Sequence, residues 1–197
     1  MRIYSVGHGA RSFDELLATL ALPCADRRGR GPGRLAAGGV RTVVDVRSFP
    51  GSRRHPQFGR DALPRSLAGA GLAYRWEPRL GGRRKRSIDP SPNPSWQVEA
   101  FRNYADHMDS PEFAAGLAEL LMLAGDQPTA FMCAETHWSQ CHRRLLSDKL
   151  WTLRHEVVHL IRPDKQELHH PPPFLRVDGP RLRYDLPVDE DGQVRLL

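Results

Sequence analysis

The sequence predicts a three-layer α/β domain: a mostly parallel sheet, helices on both faces, and a site at the C-terminal ends of the strands. Three observations predict it. Short β-rich runs alternate with amphipathic helical segments over most of the 197 residues, the pattern of a parallel sheet with crossover helices. The runs TVVDV at 42–46 and TAFMC at 129–133 are mostly apolar or β-branched, as strands covered on both faces tend to be. Polar residues of unusual type then gather where those runs end, the place where open parallel sheets bind ligands. A chain of this length supports one core of ordinary size, so 1–197 is read as a single domain.

The elements follow in order. RIYSV at 2–6 is a strand that ends at Gly7-His8-Gly9. Ser12 opens a capping box with Glu15, and Phe13, Leu16, Leu17 and Leu20 give the helix behind it one apolar face. Pro23 ends that helix. Residues 25–39, rich in Gly and Arg and without periodicity, read as a flexible insertion. Thr42–Val46 is a buried strand, residues 61–70 a weak helix, and Leu72–Trp76 a third strand. The stretch 83–98 is basic and Pro-rich and reads as a long surface loop. A helix over 98–108 precedes the clearest one, capped by Ser110 with Pro111 at its first position and stopped at Gly125. Thr129–Cys133 is a strand, Cys141–Leu153 a helix with Ser139 as its candidate cap, and Glu156–Ile161 a strand. Residues 163–197 form a C-terminal extension, in which His169-His170 read as tail and FLRV and RLRYDL as a hairpin.

Composition bounds the function. No apolar run approaches the ~20 residues of a membrane-spanning helix, and the N-terminal residues lack the apolar stretch of a secretory signal. The cytoplasm is the expected compartment, with no membrane partner. Cys24, Cys133 and Cys141 are odd in number and irregular in spacing, so reduced thiols are expected rather than a disulfide scaffold. Net charge is +6, but residues 27–86 alone carry +13 and the remainder −7. Such asymmetry points to an anionic partner, nucleic acid or a phosphorylated small molecule. An arginine-rich genome is the bland account of the same numbers, since the chain has only three lysines.

The chemistry sits at the strand ends. Cys141 near a helix N-terminus, flanked by His142 and Arg143, meets the macrodipole and two cation-capable side chains, all of which favour thiolate. Glu135 offers an acid, base or nucleophile, and His8 a proton carrier. Arg47 and Arg143 have the fork geometry for phosphate or carboxylate. The alternatives are plain: Cys133 as a small core residue, and Asp45 paired with Arg47 as a structural ion pair. The spacing C-x3-H-x3-C-H, from Cys133 through His137 to Cys141 and His142, matches no familiar zinc pattern, so no metal and no cofactor are expected. Arg143 opposes the helix dipole, which calls for a compensating anion. Either Glu135 or Asp45 supplies it, or a ligand does, and the ligand clamp is the expectation.

Together S-V-G-H at 5–8, V-V-D-V-R-S-F-P-G-S at 43–52, L-G-G at 80–82 and M-C-A-E-x5-C-H-R at 132–143 resemble the bacterial and archaeal family called domain of unknown function 488. The resemblance covers roughly residues 1–20 and 40–162, and its last element is the most specific. It implies a compact α/β domain with these clusters close together, and it brings no established reaction. The positions it carries over are Gly7, His8, Asp45, Arg47, Gly81, Gly82, Cys133, Glu135, Cys141, His142 and Arg143. The 25–39 insertion and the basic 83–98 loop depart from the family pattern.

The leading expectation is an enzyme acting on a nucleic acid or nucleotide-like phosphorylated substrate. Cys133, Glu135, Cys141, His142 and His8 are its candidate catalytic residues. Gly7, Asp45, Arg47, Gly81, Gly82 and Arg143 are its candidate binding residues. The alternatives are a non-catalytic nucleic-acid or phosphate-binding module and a thiol redox or metal sensor. Burial of Glu135 in a salt bridge with Arg143 would favour the module; an open cleft with both thiols exposed would favour the enzyme.

Overall fold

The computed structural model describes residues 1–21, 39–51, 54–85 and 88–186. Cys24 and nearly all of the 25–39 insertion lie outside them. The described chain contains β1 (Arg2–Gly7), α1 (Phe13–Leu20), β2 (Thr42–Asp45), α2 (Ala62–Gly69), β3 (Ala73–Trp76), α3 (Glu99–His107), α4 (Pro111–Asp126), β4 (Thr129–Cys133), α5 (Arg143–Thr152), β5 (Glu156–Arg162), β6 (Lys165–Leu168), β7 (Arg176–Asp178) and β8 (Arg181–Arg183).

Six strands form one sheet in the order β3-β2-β4-β1-β5-β6. The first five are parallel, and β6 closes one edge antiparallel. Right-handed crossovers decide which helix covers which face. The connections β1→β2 and β2→β3 run toward the β3 edge, whereas β3→β4 and β4→β5 run back, so the two sets must cross on opposite faces. The core divides accordingly. Leu16 and Leu20 of α1 pack with Leu63 and Leu67 of α2 over Val6, Val43 and Met132. Tyr104 of α3, Phe113, Leu117 and Leu120 of α4, and Leu145, Leu146 and Leu150 of α5 pack over Ile3, Val44 and Phe131. The sheet is therefore covered on both sides, which is the predicted architecture.

Local signals act where expected. Ser12 and Glu15 close a reciprocal capping box on α1, and Ser110 accepts the Phe113 N–H with Pro111 at the first turn of α4. Other details differ. Gly125 does not stop α4, which runs one residue further, because a glycine within a packed helix costs only ~1 kcal/mol. Ser139 does not cap α5. It lies in a 3₁₀ turn over Trp138–Gln140, and the helix begins after His142. The 83–98 stretch is anchored: Asn93 donates to Asp106 and accepts the Tyr184 N–H, and Trp96 is buried against Phe101, Phe174 and Tyr184.

The segment after 162 also belongs to the core as far as it is described. β6 pairs with β5 through a turn at Pro163-Asp164. β7 and β8 form the expected hairpin, and Leu182 and Tyr184 enter the core. His169 is no tail. It is buried, 2.8 Å from Asp148 and 3.1 Å from His159. Among the described residues no helix is long and apolar enough to cross a membrane.

Candidate active site

The parallel register sets the frame of the site. Gly7 at the end of β1 lies opposite Cys133 at the end of β4, and Asp45 at the end of β2 lies opposite Met132. The rim is thus built from strand ends far apart in sequence. A cleft of about 790 Å³ opens there, lined among others by His8, Arg47, Gly82, Cys133, Glu135, Cys141 and His142. Gly7, Asp45, Gly81 and Arg143 stand behind it rather than on it.

After β4 the chain passes Ala134–His137, makes the turn at Trp138–Gln140, and returns to the rim at Cys141. This return brings the two sulfurs within 3.3 Å of each other. Cys133 is 2% and Cys141 6% exposed, so the cleft is open but both thiols are buried in its floor, against the exposure expected of them. Each receives an N–H: the Glu135 backbone donates to Cys133 Sγ at 3.3 Å, and Arg143 Nε donates to Cys141 Sγ at 3.2 Å.

Arg143 is the centre of the electrostatics. It is 1% exposed, and its guanidinium also donates to Ser5 Oγ at 3.2 Å and to the carbonyls of Glu135 at 2.7 Å and Thr136 at 3.3 Å. Among the described residues no carboxylate pairs with it. Glu135, offered as its partner by the sequence, is exposed and lends only its carbonyl. Asp45 is spent on Arg47 and Tyr74. A buried charge must be compensated, and the anion at hand is sulfur.

The thiols divide accordingly. Burial, followed by its hydrogen bond with Cys141, pushes the Cys133 thiol well above its ordinary value. Burial opposes ionisation of Cys141 too, but its hydrogen bond with Cys133, the Arg143 charge and the Arg143 N–H groups outweigh it. They lower Cys141 to about 6. Ionisation is thus favoured at Cys141, the sulfur that faces Arg143, and disfavoured at Cys133.

The two histidines differ in what they can do. A guanidinium only donates, so the 3.2 Å contact from Arg47 makes His8 Nε2 an acceptor and leaves Nδ1–H for the Gly9 carbonyl at 2.9 Å. Both nitrogens are engaged, and the ring stacks on Phe58 at 4.2 Å. Desolvation, then Arg47, holds it neutral with a pKa of about 4. His142 donates Nε2–H to the Val46 carbonyl at 3.1 Å, which leaves Nδ1 as a free lone pair. Burial and the neighbouring Arg143 lower it to about 4 as well.

The candidate glycines Gly7, Gly81 and Gly82 are each closely packed by a neighbour, and Gly82 also lines the cleft. A methyl at Gly7 would overlap the Glu135 carbonyl oxygen and come within 2.8 Å of the Arg143 guanidinium, and one at Gly82 would overlap His142 Nδ1. Gly81 similarly makes room for Ser48. Asp45 and Arg47 form the buried fork that the sequence allowed as a structural pair, with Trp76 Nε1 donating to the Arg47 carbonyl at 2.9 Å.

Cys133, Cys141 and His142 bring ligand atoms within 4.8 Å of one another. His137 is exposed and stands outside this group, so the four-residue spacing does not converge on one point.

A family model described as domain of unknown function DUF488 matches residues 32–150. The chain belongs to the DUF488 family. The matched span holds β2 through β4 and the C-A-E-x5-C-H-R element of this DUF488 domain. S-V-G-H precedes the span, yet its Ser5 and Gly7 touch or make room for Arg143. No curated protein matches the chain, and no solved structure does.

Residues the sequence reading left without a role also line the DUF488 cleft: Phe49, Arg54 and Arg83 among them. Phe49 is 72% exposed, and Arg54 and Arg83 are exposed cations. The motif that contains Phe49 was the available signal, since an apolar ring between Ser48 and Pro50 has no helix or strand face to serve.

Proposed function

We propose that this rim is the active site of a thiol-dependent enzyme acting on a nucleotide-like phosphorylated substrate or the end of a nucleic-acid strand. The observation that carries the reading is Arg143: a buried guanidinium with no carboxylate partner that donates to Cys141 Sγ. Such an arrangement maintains a thiolate at the floor of a cleft, and thiolate is the nucleophilic form of cysteine. Cys141 displaces a leaving group from an electrophilic centre of the substrate: the bond to sulfur forms as the bond to that group breaks, the group departs into the open cleft, and attack by water then releases the thiolate. Glu135, exposed on the cleft wall, and His142 Nδ1 are the groups placed to move protons. His8 acts by position, holding Arg47 and the rim. Arg54 and Arg83 meet the phosphate, and Phe49 offers a face for a base, a stacking mode that tolerates any base.

Two experiments test this. In a Cys24→Ser background, iodoacetamide at neutral pH is expected to label Cys141 at least tenfold faster than Cys133, read by peptide mass spectrometry. Equal, slow labelling would overturn the thiolate, leaving a passive module that binds anions. The second concerns partner class. Single-stranded oligonucleotides are expected to bind at about 50 mM salt with an affinity that falls as salt rises, by about 0.7 in the log–log slope per phosphate neutralised. Arg54→Ala and Arg83→Ala should each flatten that slope by about that amount. Undetectable binding at this salt would remove nucleic acid and leave a phosphorylated small molecule.

A further inference from the structure

We propose that Cys133, Cys141 and His142 form a binding site for a single thiophilic divalent cation, zinc by preference, whose fourth coordination position faces the cleft. Three observations carry it. The three ligand atoms already lie within 4.8 Å of one another on two elements fixed by the sheet. His142 donates Nε2–H to a backbone carbonyl, the outer contact that orients a metal-binding imidazole and leaves its other nitrogen free. Each sulfur accepts an N–H, from Glu135 and from Arg143, which is how thiolate ligands are held and their charge spread. Two sulfurs and one imidazole nitrogen are a zinc donor set that keeps one position open.

The fit requires little movement. Two Zn–S bonds of ~2.3 Å at a tetrahedral angle place the sulfurs about 3.8 Å apart, against 3.3 Å in the metal-free chain. A small side-chain rotation at either cysteine supplies the difference. Binding displaces whatever protons the two thiols carry, since thiolate is the ligating form. The bound ion then blocks the sulfur that the proposed enzyme uses, so metal and substrate compete, and the inference in this respect rests on the function proposed above. Residues 133 and 141–142 escape a motif search because the helix turn, not the chain spacing, brings them together.

Cobalt is the probe. The Cys24→Ser protein, reduced and metal-free, is expected to take up one equivalent of Co²⁺, with a near-ultraviolet thiolate-to-cobalt band and visible bands of a four-coordinate ion. Zinc should abolish both. His142→Ala and Cys133→Ala, checked for folding by their melts, should each weaken binding at least tenfold. In the Cys24→Ser protein with its site intact, zinc should slow Cys141 labelling by iodoacetamide at least tenfold, and a chelator should restore it. Absence of the charge-transfer band, or binding unaffected by both substitutions, would overturn the metal site. Fast labelling in that case would leave the thiolate reading intact. One-equivalent binding with slow labelling of the metal-free protein gives the reverse result: the metal site stands and the enzyme reading fails.

Discussion

Replacing Arg143 by Met is expected to lower the melting temperature by about 10 °C and to slow alkylation of Cys141 roughly tenfold or more. Methionine fills much of the volume but leaves Ser5 Oγ and the carbonyls of Glu135 and Thr136 without their donor. Breaking a buried charge pair from one side costs about 3–5 kcal/mol. For a domain of this size each kcal/mol is worth about 2–4 °C. The thiolate, deprived of its cation, takes up a proton, so the loss appears in reactivity as well as in stability. Arg143→Lys keeps a charge but not the fork that reaches four acceptors, and its melt should fall between the two. The sequence-based expectation was the opposite: a ligand clamp, whose loss would leave the free protein as stable as before. An Arg143→Met melt within 2 °C of the parent would restore that expectation and remove the charge-balance argument for Cys141.

Gly7→Ala should rank second. The added methyl meets backbone on the far side, the Glu135 carbonyl, and the register Gly7 with Cys133 fixes both strands. Neither side can step aside without moving that carbonyl away from Arg143. Overpacking of this kind costs about 1–3 kcal/mol and occasionally more, or about 5–10 °C here. Gly69→Ala is the control: the glycine is helical and nothing lies within 4 Å of the new methyl. Helix propensity there makes the change neutral or stabilising by up to ~1 kcal/mol. A Gly7→Ala protein that melts with the parent and labels Cys141 at the parental rate would show that the rim yields where the register says it is locked.

These contrasts mark what the sequence could and could not carry. The five parallel strands and the five helices were legible because their signals are local: apolar runs, Ser12 and Ser110 as caps, leucines at helical spacing. β6 was not. Lys165–Leu168 lies on the edge with three of its four residues exposed, and its pairing is made by backbone groups that leave no trace in composition. The site was legible as a place, since strand order puts residues 7, 45 and 133 on one rim. The direction of individual side chains was not. Arg143 at the first turn of α5 has the same sequence signature whether it turns to solvent or to Cys141. Gly7 and Gly82 have the same signature whether they touch a ligand or only make room for Glu135 and His142. Arg54 and Arg83 belong to loops, where no periodicity assigns a facing.

The position of β1 in the sheet has a consequence for how the protein matures. Its two hydrogen-bonded neighbours are β4 and β5, so the first strand to be made finds no partner until residue 129 has been synthesised and is not enclosed until residue 156. Pairings this distant are slow to form. Ser5 and Gly7, which hold or make room for Arg143, therefore reach it late, together with the closing of the sheet. Until then Cys133 and Cys141 are ordinary, accessible thiols on an open chain, and the Arg143 contact that favours ionisation at Cys141 forms only as the last central strand locks. Preference of a reagent for Cys141 over Cys133 is thus the expected mark of completed folding, since on an open chain both thiols are accessible and equivalent.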